Sequence, residues 1–460
     1  MTIESTTKAQ GGPAGSAPRL RRVLGLWDLI FYGIVLIMPI APVPMFGVAQ
    51  VLSHGHFVTT ILIAMIAMML TAVSYGRMAS LFPTAGSAYT YVGRGLNPHL
   101  GFLTGWSMFL DYLIQPLMNG VYGALTIQRF FPFIPYAILA AIFVAMMTLL
   151  NLRGIRATAY ANIVLVTIMC LVIVIFMVLA VRYLFHLQGW HGVFSIQPFY
   201  DPRTFDARLI WMATSYAALT YIGFDGVTTL AEDVKNPKRN IMLATVLVCL
   251  FTGIVGGLEV YLGQRVWPSY SSFPNVETAF MDVAHRVGGS LLFQALGIIL
   301  ILAAVGAGLT GQVGAARLLF GMGRDNVLPR RLFAYLDPKR NTPTLNIWLI
   351  GIVAYIGALF VSYEQAGEIL NFGAFLAFMG VNLATFWQFG VVGQAGRKRQ
   401  WLGDVVIPLL GFMFCLWIWL GLKTPAKIVG GFWLSVGFIY SAIKTRWFRD
   451  RPIMVDFSGS

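Results

Sequence analysis

MPIAPVPMFG, residues 38–47, places Pro39, Pro42 and Pro44 within six positions in the middle of an apolar run that extends from about Leu24 to Val51. A proline inside a helix removes a backbone donor and clashes with the preceding turn, at a cost of roughly 3 kcal/mol each. A run of this length and hydrophobicity reads as a membrane span. In a bilayer, broken backbone is tolerated only where protein buries it or where it lines a water-filled cavity. The three prolines therefore predict an interrupted helix beside a cavity.

The rest of the chain fits the same setting. Its 460 residues are 58% hydrophobic and 11% charged, with a mean hydropathy of +0.74, whereas a soluble globular protein carries about 25% charge. Apolar stretches long enough to cross a hydrocarbon core of about 30 Å recur along the whole length. Twelve are expected, at 26–51, 57–81, 99–127, 134–152, 157–183, 209–231, 241–265, 290–320, 345–362, 368–392, 404–422 and 427–444. The expected fold is an all-α membrane protein with twelve transmembrane helices. The first 25 residues turn from polar to basic at Arg19, Arg21 and Arg22. No small-residue cleavage site follows a short apolar core there, so the first span is expected to stay in the membrane. Cys170, Cys249 and Cys415 fall inside spans and read as small core residues, with neither a disulfide framework nor a metal site.

A net charge of +14 could suggest nucleic acid, but the placement of the charge suggests topology instead. With the N-terminus in the cytoplasm, only eight of the 32 Lys and Arg fall on the outer side: Arg129, Arg182, Arg203, Arg208, Arg265, Arg286, Lys423 and Lys427. Positive-inside bias places both termini in the cytoplasm of a multi-pass protein of the cytoplasmic (inner) membrane. The basic loops lack interleaved aromatics, which gives nucleic-acid binding no support.

Transporters built from inverted repeats place their breaks at matching positions of the two halves. Five spans after the prolines, residues 215–233 read SYAALTYIGFDGVTTLAED, where Gly223 and Gly226 flank Phe224 and Asp225. Broken helices 1 and 6 then belong to a five-plus-five inverted repeat. Residues 26–183 form the first repeat and 209–392 the second, with 404–444 appended and tails at 1–25 and 445–460. Asp225 could merely cap a half-helix. A carboxylate in a span costs at least about 2.5–3.5 kcal/mol, however, and marks a functional site by default.

Three long motifs carry a family resemblance: GFDGVTTLAEDVKNPKRN (223–240), FPTAGSAYTYVGRGLNPHLGFLTGW (82–106) and ARLLFGMGRDNVLPRRLFAYLDPKRNTP (316–343). Over residues 22 to about 390 the chain resembles the amino acid–polyamine–organocation permeases. The resemblance implies the five-plus-five fold, a substrate site between spans 1, 3, 6 and 8, and alternating access by rocking and gating. Amino-acid permeases of that family carry a Gly-Ser-Gly type turn in the first break, whose N–H groups hold the substrate carboxylate. PIAPVP stands here instead, and Pro42 and Pro44 have no N–H to offer. The wording of 82–112 and 316–346 is closest to the branch that imports putrescine.

A diamine needs acidic groups and aromatic faces. The candidate substrate site comprises Pro39, Ile40, Ala41 and Pro42 in the first break, Asp111 and Tyr112 in span 3, and Tyr216, Tyr221, Gly223, Phe224, Asp225 and Glu232 in span 6. Asp225 and Glu232 are seven positions apart, about 10 Å on a regular helix, which suits a linear dication. Glu232 could equally join an ion-pair cluster with its charged neighbours. Glu259 in span 7 has no evident role beyond pairing with Arg265 or facing a cavity. For proton-driven members the resemblance implies a Lys in span 5, where NIVLVTIMC (162–170) has Met169 instead. A titrating Asp225 is then the simplest carrier of a coupling proton. Sodium, for which Thr310 offers the nearest hydroxyl, is the poorer fit. No cofactor is expected. An enzyme lacks support, since no nucleophile–base pair, metal spacing or phosphate loop is present, and GRG (93–95) and GMGRDN (321–326) do not make a dinucleotide fingerprint. The expected partners are the bilayer, a small amine and a proton, with amino-acid uptake as the alternative activity.

Overall fold

The proline stretch does interrupt its helix. In the computed structural model, which describes residues 24–83, 87–153, 159–231, 234–324, 328–338, 342–393 and 399–450, helix α1 (Leu26–Ile37) ends where Met38 takes φ 65°. A turn leads to a 3₁₀ segment, Val43–Met45, and then to α2 (Phe46–Leu52). The break satisfies its own donors: the N–H groups of Met38, Ala41, Val43 and Met45 donate to the carbonyls of Ile34, Met38, Ile40 and Pro42. The three prolines occupy positions in this run that need no donor, so the segment tolerates them.

The sixth expected span is interrupted in the same way. After α3 (Phe57–Leu81), α4 (Ser87–Gly95), α5 (Pro98–Phe130), α6 (Tyr136–Leu152), α7 (Ala159–Gln188) and the short α8 (Trp190–Val193), helix α9 (Ala207–Ala217) tightens into a 3₁₀ turn, Ala218–Tyr221. The chain reverses at Gly223 (φ 109°) and resumes as a second 3₁₀ segment, Phe224–Leu230. Then follow α10 (Pro237–Val266), α11 (Ala279–Arg324, bent at Gly289), α12 (Arg330–Phe333), α13 (Thr344–Phe360), α14 (Tyr363–Thr385), α15 (Ile407–Gly421) and α16 (Thr424–Lys444). Among the described residues the regular structure is all helical, with one isolated β-bridge between Leu24 and Val234.

Seven helical segments among the described residues are long and apolar enough to cross a membrane: Phe57–Leu81, Val164–Gln188, Pro237–Val266, Ala279–Gly323, Tyr363–Val392, Leu402–Gly421 and Thr424–Lys444. The other five expected spans coincide with shorter or less uniformly apolar elements. These are the two interrupted stretches, α6 and α13 at 17 residues each, and α5, which carries Asp111, Gln115 and Asn119. Two features were not expected: α4, on a stretch read as a connection, and the π-helical turns Phe386–Val392 and Leu402–Val406.

Small residues let the helices approach closely, the usual means of packing in lipid. On α11, Gly308, Gly311 and Gly314 face Asn119, Gln115 and Tyr112 of α5. α3 lies along α10, where Gly76 meets Met242 and Gly253 meets Met65. Ion pairs tie elements together: Arg77 with Asp404, Arg129 with Asp282, and Lys423 with Glu364.

Candidate functional site

The two interruptions touch. A Cβ on Gly223 would stand 3.4 Å from the carbonyl oxygen of Leu36, and Gly226 faces the Leu36 side chain. Gly33, one helical turn earlier on α1, lies against Val227 and Val248. The end of α1 therefore crosses the start of the Phe224–Leu230 segment, whose first turn presents Asp225.

The Asp225 carboxylate faces the backbone N–H groups of Asp225 and Gly226, the second of which also donates to the Gly223 carbonyl at 3.0 Å. From α5, Asp111 lies within electrostatic reach of Asp225. Neither carboxylate forms an ion pair with a described residue. Both are only half-buried, and Tyr112 beside them is 39% exposed although six helices pack around α5. Such exposure inside a bundle marks a hollow. Pro116, inside α5, removes the N–H that would otherwise bond the Tyr112 carbonyl. The Tyr112 carbonyl is thereby deprived of its usual helical donor.

Aromatic side chains wall this acidic pair. Tyr32 of α1 lies near Thr229 and within electrostatic reach of Tyr112. Tyr91 of α4 reaches Thr228 and feels Asp225. Tyr75 of α3 is fully buried, edge-on to Phe224 (5.4 Å), Tyr91 (6.0 Å) and Phe378 (5.9 Å). Its hydroxyl has no hydrogen-bond partner among the described residues, and it lies within electrostatic reach of both aspartates. A buried hydroxyl without a partner is rare enough to call for an explanation. Two carboxylates, a carbonyl deprived of its helical donor and aromatic faces are groups whose chemistry suits an ammonium.

The structure thus brings together Asp111, Tyr112, Gly223, Phe224 and Asp225 and separates other expected residues from them. Tyr221 donates its hydroxyl to the Ile61 carbonyl and fastens span 6 to α3. Tyr216 is fully buried within electrostatic reach of Tyr363, Glu364, Glu368 and Glu277, a separate acidic group. Pro39 and Ile40 are buried and Ala41 half-buried, while Pro42 seats its ring against Gly256 of α10. Thr310 donates within its own helix, to Gly306. Glu232 lies outside the described residues. The suggested Glu259–Arg265 pair does not form: Arg265 donates to Gly192, His191 and Gln197, and Glu259 is buried elsewhere on the helix.

Tyr32, Tyr75, Tyr91, Phe378 and the Tyr112 carbonyl were not singled out from the sequence. Pro116, four residues after Tyr112 in a span, was a usable signal for the last. The tyrosines gave none, since a tyrosine in a span reads equally as packing.

Comparison with known proteins identifies the family. A family model described as amino acid permease matches residues 24–443. The chain is 32% identical over 441 residues to a low-affinity putrescine importer of Escherichia coli strain K12, covering 95% of this chain and 97% of that protein. It is 25% identical over 453 residues to a branched-chain amino acid permease of Bacillus subtilis strain 168, covering 92% and 93%. A methylthioribose transporter of the same Bacillus strain is 26% identical over 452 residues, covering 92% and 94%.

Proposed function

The chain belongs to the amino acid permease family, and on that premise we propose that it imports a cationic amine, with putrescine as the best-fitting candidate, by proton-coupled secondary transport. It does so as twelve spans of a five-plus-five inverted repeat in the cytoplasmic membrane, with both termini in the cytoplasm. The observation that carries this reading is the Asp111–Asp225 pair, which has no basic partner among the described residues and sits among Tyr32, Tyr75, Tyr91, Tyr112 and Phe224. Two carboxylates left without cations are costly in an apolar bundle unless a cationic ligand joins them.

The first break supports the same choice by elimination. An α-amino acid needs backbone donors for its carboxylate, and four N–H groups there are spent within the break itself. The N–H groups at the start of Phe224–Leu230 face the Asp225 carboxylate. Asp225 must be ionised to take an ammonium, so a proton and the amine compete for it. The 32% identity to a putrescine importer supports the amine. Identity to a branched-chain amino acid permease favours amino-acid uptake as the second reading.

The test is uptake of labelled putrescine by purified protein in liposomes under an inward proton gradient, with spermidine, ornithine, arginine and leucine as competitors. Accumulation blocked by diamines and untouched by leucine is expected. Competition by leucine without uptake of putrescine would transfer the assignment to amino acids.

A further inference from the structure

A second buried acid lies outside the acidic hollow. Glu259 of α10 is 0% exposed, and neither carboxylate oxygen has a hydrogen-bond partner among the described residues. Its flanking glycines define its surroundings. A Cβ on Gly256 would stand 2.7 Å from Pro42 Cγ, and one on Gly263 would stand 3.0 Å from the Phe46 ring. Spacings of three and four place all three positions on one side of the helix. Glu259 therefore lies beside the break of span 1 and the start of α2. From α7, Cys170 lies within its electrostatic reach.

Several titratable groups on the elements around α10 are engaged elsewhere, and Asp225 and Tyr75, on two elements packed against α10, belong to the acidic hollow. His56, at the start of α3, contacts the Ser53 carbonyl and accepts from the Asp201 N–H. Tyr221 bonds Ile61. Arg286 of α11 lies 3.8 Å over the Trp267 ring and donates to the Val266 carbonyl, and Asp282 pairs with Arg129. Arg265 is held by the α8 region. An ionised carboxylate in this packing would have neither a counter-charge nor a hydrogen-bond donor among the described residues, so the packing favours Glu259 as a neutral carboxyl.

A proton carried inward together with a cation needs a site of its own. At Asp225 or Asp111 a proton and an ammonium exclude one another, which gives exchange at that carboxylate rather than cotransport. We propose that Glu259 is the site of the cotransported proton, separate from the amine-binding carboxylates; this rests on the reading of the chain as a proton-coupled importer. The cycle balances simply. The Glu259 carboxyl gives its proton to water on the side of release, leaving a carboxylate, and takes one back from water on the side of loading. Water reaches Glu259 only when Pro42 and Phe46 part from Gly256 and Gly263, or when α7 moves away. Proton release is thereby tied to movement of the interrupted span.

Two measurements on the full-length protein test this. Infrared difference spectroscopy of purified wild type against Glu259→Gln at neutral pH should show a protonated carboxyl C=O band that the variant lacks, with or without substrate; absence of that band overturns the proposal. In liposomes, Glu259→Gln should exchange labelled putrescine across the membrane at nearly the wild-type rate yet fail to accumulate it under a proton gradient, its ratio falling to about one. Accumulation at the wild-type level overturns the coupling role. So does loss of exchange together with accumulation, which would mark Glu259 as structural. If wild type moves no putrescine at all, it is the substrate assignment that fails, and the infrared band still decides the protonation of Glu259.

Discussion

Gly223 and Leu36 join the two interrupted helices: the left-handed turn at Gly223 (φ 109°) carries its α-carbon against the Leu36 carbonyl, leaving 3.4 Å to where a Cβ would stand. The left-handed turn and the crossing of the two spans are the same feature. Asp225, two residues on, is aimed into the hollow by this turn.

Gly223→Ala tests that relationship. A side chain in left-handed backbone costs about 1–2 kcal/mol, and here relief would swing the Phe224–Leu230 segment away from α1. The variant should unfold at lower temperature in detergent and lose most transport. Gly431→Ala, at a position where a Cβ meets nothing within 4 Å, should leave both unchanged. Equal behaviour of the two variants would refute the argument.

Arg77 and Asp404 connect α3 to the π-helical turn Leu402–Val406. The Asp404 side chain is 2% exposed and also accepts from the Gln400 N–H at 2.6 Å. Removing one member of a buried pair leaves the other charge uncompensated, at about 3–5 kcal/mol. Asp404→Ala should therefore lower the thermal midpoint markedly, while Asp450→Ala, which breaks the exposed Arg446–Asp450 contact at 3.6 Å, should not change it measurably. Tryptophan fluorescence during heating would report both.

Glu277 lines a cavity of about 420 Å³ with Gln128, Tyr136 and Ser362, between the ends of α5 and α13. Burial first, and the nearby Glu364 second, raise its pKa above 4.5. A raised carboxyl pKa means that folding favours the protonated form. Its contribution to stability is whole below about 4.5 and is lost as pH rises through the folded value. Glu277→Gln should thus be more stable than wild type at neutral pH, and the gain should shrink toward zero at lower pH. Unfolding curves across that range would show it, and a gain that grows on acidification would contradict the assignment.

What the sequence revealed and what it hid follow from the range of the forces involved. Pro39, Pro42 and Pro44 and the Gly223–Gly226 pair act on their own backbone, so both interruptions were legible. Phe57–Leu81 was expected to the residue because its hydrophobicity is continuous and its ends are abrupt. Tyr75 and Tyr91 join the site only through packing across three elements, which no local pattern encodes. Glu259 was visible as an acid in a span, but its isolation depends on where Arg265 turns, a matter settled by the fold of the α8 region. The π-helical turns likewise follow from packing at the ends of α14 and α15.

Asp111 and Asp225 separate the two substrate readings. If the pair holds ammonium groups, Asp111→Asn keeps the shape of the hollow and removes one charge, and a charged hydrogen-bonded contact is worth roughly 1.5–3 kcal/mol, or about 10- to 150-fold in affinity. Putrescine should weaken by that factor in Asp111→Asn and again in Asp225→Asn. The double variant should exceed the product of the two effects, because the carboxylates act on each other and each single change, by relieving that repulsion, offsets part of its own loss. A zwitterionic amino acid has one ammonium and should lose affinity in one variant only. Glu232→Gln extends the series: a dication that reaches a third acid would weaken further, and a monoamine would not. Competition by putrescine, a monoamine and leucine on the same preparations gives the matrix. Uniform losses across all three ligands would mean that the aspartates shape the site without holding the amine, and the polyamine reading would fall.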